Sequence, residues 1–167
     1  MKKLLTLFAT IGLAFFPQAQ AALADRINEN QAEWLLGTWE ADINGTTLTL
    51  TYKWVVKDHV IYSHLKTDDS ESVSLIALNP ESGEIEQTGY DSKGKKSTGK
   101  WGPKDDMPMV TVTSKSDTGE TRSMAVAFRR IDENNIEAQI YGVDDSGNVD
   151  DFSSFSFEMK RKKEKKE

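Results

Sequence analysis

The stretch 47–54 most constrains what this chain can fold into. Leu48, Leu50, Tyr52 and Trp54 alternate strictly with Thr47, Thr49, Thr51 and Lys53. A period of two places the large apolar groups on one face of a strand and the polar groups on the other. The neighbouring segments share the habit. Trp39, Ala41 and Ile43 oppose Thr38, Glu40 and Asp42, and Asn44-Gly45 between the two runs is the strongest short hairpin signal a sequence can carry. Further on, a turn near Lys57-Asp58 leads into 60–66, Asp68-Asp69-Ser70 into 73–78, and Asn79-Pro80-Glu81-Ser82-Gly83 into 84–90.

The second half repeats this scheme. After Asp91-Ser92-Lys93-Gly94, a strand over 95–101 is predicted to end at Gly102-Pro103, with a polar loop reaching Pro108 before the Thr/Val strand 109–115. Met124, Val126 and Phe128 line one face of the next strand, and Ile136, Ala138 and Ile140 line another. Phe155, Phe157, Met159 and Arg161 alternate with Ser154, Ser156, Glu158 and Lys160 in the last. About ten short strands joined by hairpin turns, with no crossover helix, predict an all-β fold: an antiparallel up-and-down β-barrel, with a flattened sandwich as the alternative. Closure removes the two edges that would otherwise template aggregation. Only 25–36 has helix propensity. Asp25 is its candidate cap and Ile27, Trp34 and Leu35 its apolar positions, giving a short N-terminal helix that acts as a lid or plug.

The first residues do not belong to this scheme. Lys2 and Lys3, the apolar run 4–16 and Ala19-Gln20-Ala21 read as a signal peptide over 1–21, with cleavage after Ala24 as the alternative. The run is too short for the ~20 residues that a membrane span needs. The expected organisation is therefore a signal peptide (1–21), a helical lead-in (22–36), the barrel (37–161) and a charged, flexible tail (162–167), in a periplasmic or secreted protein with no membrane insertion after cleavage. The chain has no cysteine. Disulfides and thiol chemistry are thus excluded even in an oxidising compartment. Without Lys2 and Lys3 the net charge of −6 becomes −8, and the tail 160–167, six bases against two acids, leaves −12 on the body. Nucleic acid is a poor partner for such a body, because phosphate binding depends on clustered Lys and Arg.

Gly37-Thr38-Trp39 behind a short helix resembles the opening of the lipocalins and fatty-acid-binding proteins, the calycin group. The resemblance implies that Trp39 plugs the closed end of the barrel and that a basic residue near the end of the last strand packs across it. Arg161 is the candidate, because it shares a face with Phe155, Phe157 and Met159; Arg129 and Arg130 are the alternatives. A ligand would then enter at the opposite end. The longer outline of 34–39, 52–58 and 78–94, including Tyr90-Asp91-Ser92-Lys93-Gly94, is similar to bacterial lipocalin-like domains of unknown function. A heme-binding nitrobindin-type barrel begins in a similar way but holds its iron by a late histidine. Here His59 and His64 are both early, so that ligand is missing and no cofactor is implied.

Tyr52, Trp54, Trp101 and Phe128 are the candidate pocket walls, in competition with an ordinary packed core. Tyr62 and His64 join them if the Val60 face of their strand points inward, where His64 would orient a ligand; otherwise His64 is a surface histidine. No metal site is expected. His59 and His64 fall on opposite strand faces, and in the acidic loop of Asp144, Asp145, Asn148, Asp150 and Asp151 the position of Gly147 breaks the EF-hand spacing. No nucleophile elbow or glycine-rich phosphate loop is present, so no enzyme is expected. The sequence points to an exported, monomeric lipocalin-like barrel that binds a small hydrophobic molecule. The alternative is a filled barrel serving as an envelope interaction or structural module.

Overall fold

Ten antiparallel strands close into a barrel in the order β1-β10-β9-β8-β7-β6-β5-β4-β3-β2, each strand pairing with its sequence neighbour and the last with the first. They are β1 (Gly37–Ile43), β2 (Thr46–Val56), β3 (Val60–Lys66), β4 (Glu71–Leu78), β5 (Ile85–Asp91), β6 (Lys96–Lys104), β7 (Met107–Lys115), β8 (Thr121–Arg130), β9 (Asn135–Gly142) and β10 (Phe155–Arg161). The structure is a computed structural model that describes residues 22–116 and 118–163. The expected signal peptide and the end of the basic tail lie outside the described residues. A helix α1 (Leu23–Glu29) and a 3-10 turn (Glu33–Leu35) precede the barrel.

The up-and-down topology with a short N-terminal helix is the one the alternation predicted, and closure rules out the flattened sandwich. Two local expectations change. The helical lead-in is broken in two, with Gln31 at φ 51° between the pieces, and Asp25 is not the residue before the helix. Its carboxylate lies in the first turn and accepts from the Ala22 backbone N–H at 2.9 Å. Gly102-Pro103 does not end a strand either. β6 runs on to Lys104 and the polar loop shrinks to the turn at Asp105-Asp106. The reason is register. Pro103 pairs with Pro108 across the hairpin, and a non-hydrogen-bonded pair asks neither residue for an N–H.

Because the strands alternate in direction, one end of the barrel gathers α1, the 3-10 turn, the start of β1, the end of β10 and the connections at 57–59, 79–84, 105–106 and 131–134. The main core lies toward this end, where Leu23, Leu35, Trp39, Leu50, Tyr52, Ile61, Ile76, Phe128, Ile136 and Met159 are all buried together. A smaller cluster, Ala125, Ala127 and Tyr141 with Val143 and Val149, occupies the outer face of β8 and β9 under the β9–β10 connection.

One assembly seals the barrel at the helix end. Trp39 is fully buried and its Nε1 donates to the Leu35 carbonyl at 2.9 Å. Arg161 is its cross-strand partner at the β1–β10 closure, with the guanidinium carbon 4.1 Å from the centre of the indole ring. The guanidinium also donates to three carbonyls: Nη2 to Trp34 at 2.6 Å, Nη1 to Leu36 at 2.8 Å and Nε to Glu133 at 3.0 Å. Gly37 is required here twice over. Its φ of 122° disfavours any side chain, and a Cβ would collide with Arg161 Nη1.

Truncating Trp39 to alanine is expected to destabilise the protein by about 3–5 kcal/mol, read by denaturant unfolding. Gly37→Ala should cost at least ~1 kcal/mol through the strained backbone alone. Its penalty should shrink in an Arg161→Ala background, where the colliding nitrogen is gone; equal penalties in both backgrounds would show that Arg161 does not impose the glycine.

Candidate functional site

The inward faces of β2 to β7 and the N-terminal segment enclose a cavity of about 630 Å³ at the helix end, within the range of small-molecule sites. Its inner walls are mainly apolar and its rim is polar. Leu23 and Ile27 come from α1, Trp34 to Leu36 from the 3-10 turn, and Tyr52, Ile61, Ile76, Ile85 and Trp101 from the strands. Leu23 is buried to 1 %, and the Ala24 N–H donates to the Asp58 carbonyl at 3.0 Å, so α1 is tied to the β2–β3 turn as a lid. The mouth lies between residues 29–32, the segment 83–85 and the β6–β7 hairpin.

This placement corrects one expectation: the cavity opens on the same end as Trp39, not the opposite one. Trp39 and Arg161 close the seam between β1 and β10, while the cavity occupies the other side of the same end under α1. The seal therefore takes up only part of the end.

The proposed wall residues divide into three groups. Tyr52 and Trp101 line the cavity. Phe128 stacks on Trp101 (centroids 6.3 Å apart, planes at 17°) and meets the edge of Tyr52 at 6.3 Å, so it backs the two wall residues without lining the cavity itself. Trp54 packs half-buried against the main core and does not line the cavity either. Tyr62 and His64 are on the outside. Their strand turns Ile61 and Ser63 inward, and His64 faces the Glu71 carboxylate at 3.2 Å while Lys53 Nζ sits over the Tyr62 ring at 5.2 Å. The open choice between the two faces of β3 is settled against a pocket role for both. The acidic loop after β9 is also self-contained. Asp144 accepts from Ser146, Asn148 and the Asn148 side chain at 2.8–2.9 Å, and these bonds hold its carboxyl below the usual range.

Three polar residues of the inner face escaped sequence reasoning. Trp101 Nε1 donates to Gln87 Oε1 at 3.0 Å, and Gln87 Nε2 donates to Ser74 Oγ at 3.2 Å. Ser63 lies across from Tyr52 and hydrogen-bonds its hydroxyl. The signal was there in the parity. Gln87 shares a face with Ile85, Ser63 with Ile61, and Ser74 with Ile76. Among the described residues no buried side-chain polar atom lacks a partner, so the interior polar groups are internally satisfied. No group of three or more metal-binding side chains comes together among the described residues.

No protein-family model matches the chain, and no curated protein matches its sequence.

Tyr52 yields a pH prediction. Burial pushes its phenol well above the ordinary value of 10.0, with the Ser63 hydrogen bond opposing weakly. The unfolded state therefore releases this proton first, so the stability it contributes is complete below about pH 10 and is lost as the pH climbs through the unfolded and then the folded value. Tyr141 is shifted in the same direction, first by burial. Urea unfolding at about pH 8 and about pH 10.5 should show a smaller alkaline loss for Tyr52→Phe than for the wild type; an identical loss would mean that Tyr52 is not the titrating group.

Proposed function

We propose that the protein is an exported, lipocalin-like container that holds a small, mainly apolar molecule in the cavity beneath α1. The observation that carries this reading is the cavity itself. A space of about 630 Å³, walled by Tyr52, Trp101, Ile61, Ile76 and Ile85 and lidded by α1, suits the burial of an apolar body. Tyr52 and Trp101 already spend their polar atoms on Ser63 and Gln87. They therefore present ring faces and edges to a ligand.

Export rests on the signal pattern over 1–21. Of the two cleavage points, the one after Ala21 leaves the lid whole. Cutting after Ala24 would remove Leu23, a fully buried member of the core, and the residue that ties α1 to Asp58. A second reading, an interaction module, draws on the outer faces of β4 and β5, where the cross-strand neighbours Val73 and Tyr90 are 38 % and 55 % exposed and nearby Leu75 is 51 % exposed.

Native mass spectrometry of protein purified from its host should show a retained adduct of lipid size, and intact mass should give a chain that begins at Ala22. Nile red should gain fluorescence on binding. Ile85→Trp, which fills the cavity from its own wall, should reduce that gain severalfold while the fold, read by circular dichroism, persists. A clean apo mass together with no dye uptake would overturn the container and leave the interaction module.

A further inference from the structure

We infer that the cavity selects a cationic amphiphile, an apolar body carrying an amine, and discriminates against carboxylates such as fatty acids. This inference rests on the container reading and specifies its ligand. A bound carboxylate needs a cation or a fan of donors at its head, because leaving an ionised group unpaired in an apolar site is costly. The cavity supplies no free cation, and its two side-chain amides, Asn30 and Gln31, sit on the exposed rim, with Asn30 already donating to the Arg26 carbonyl at 2.7 Å. No lysine or histidine lines it, and its one arginine, Arg26, is already paired with Glu29 at 3.1 Å on the surface of α1. Arg161 is unavailable as well. All three of its nitrogens donate to the carbonyls of Trp34, Leu36 and Glu133, and its face lies on Trp39.

The mouth has the opposite character. Four carboxylates, Glu29, Glu84, Asp105 and Asp106, border the cavity against the single Arg26. Glu29 is held by Arg26 and Glu84 by Lys100 at 2.7 Å, whereas among the described residues Asp105 and Asp106 meet no cation at ion-pair distance. Lys104, next to them in the chain, directs its ammonium over the Tyr141 ring at 5.4 Å. An ammonium group leaving the apolar walls at the β6–β7 hairpin would therefore reach two carboxylates. Behind it, the rings of Tyr52 and Trp101 tolerate a nearby cation through their negative faces. A negative mouth on a body of strongly negative charge also concentrates cations and repels anions before they dock.

Three probes of one chain length separate the possibilities: dodecylamine, dodecanol and dodecanoate, each competing with nile red on the full mature protein. Dodecylamine should displace the dye at about fivefold lower concentration than dodecanol, the upper effect of an exposed ion pair, and dodecanoate should be the weakest. Asp105→Asn/Asp106→Asn should bring the amine to the level of the alcohol and leave the alcohol unchanged. Asparagine suits the left-handed backbone at residue 105 (φ 55°), so the hairpin keeps its shape. About 0.5 M salt should have the same effect as the double variant. Equal or tighter binding of dodecanoate, or an amine advantage that survives the double variant, would overturn the inference while leaving the container intact. Failure of all three probes and of the dye would remove both.

Discussion

The barrel depends on what Arg161 does at the seam. A closed sheet must join its first strand to its last, and the recorded pairing of β1 with β10 is short, Trp39 with Arg161 and Glu40 with Lys160. The guanidinium makes this seam strong by acting in three directions at once. It covers the indole, pins the chain entering β1 through two carbonyls, and reaches the β8–β9 turn through a third. Charge-assisted bonds of this kind exceed neutral ones, and the fork geometry cannot be reproduced by lysine. The Gly-x-Trp motif then has a direct physical meaning. Gly37 leaves space for the guanidinium, Trp39 provides the face on which it lies, and the Leu35 carbonyl fixes the indole.

The seal and the cavity share one end of the barrel because the N-terminal segment does two jobs. Its 3-10 turn feeds the Trp39–Arg161 assembly, and α1, held by Leu23 and the bond to Asp58, spans what remains open. A chain whose interior polar atoms are paired with one another has little to offer a charged group inside. Charge is confined to the rim, and there it is negative. In the proposed container, the interior shape and the mouth electrostatics would act on different parts of one ligand.

Strand positions were legible because period-two alternation and turn residues are local signals. β3 begins and ends at Val60 and Lys66, as the alternation predicts, and β10 ends at Arg161 as expected but begins at Phe155, one residue after the expected Ser154. Where both neighbours of a residue are ambiguous, alternation loses its sign. On β3, Val60, Tyr62 and His64 compete with Ile61 and Leu65, and only pairing with Trp54 and Ile76 on adjacent strands sends Ile61 inward. Pro103 and Pro108 failed for a related reason. Each alone reads as a breaker, and only their mutual register in a hairpin makes them harmless.

By itself the amino-acid sequence determined the all-β class, the hairpin order of about ten strands and the absence of thiol chemistry. All of these follow from composition, parity and turn chemistry within a few residues. Only the tertiary structure decided which face of β3 is interior, that Gln87 and Ser74 form a polar chain behind Trp101, and that the cavity lies under α1 with Asp105 and Asp106 at its mouth. Those facts depend on which strands are neighbours and on how a helix sits across a barrel end. They bring together residues from 23 to 108, a distance in sequence over which no periodicity carries information.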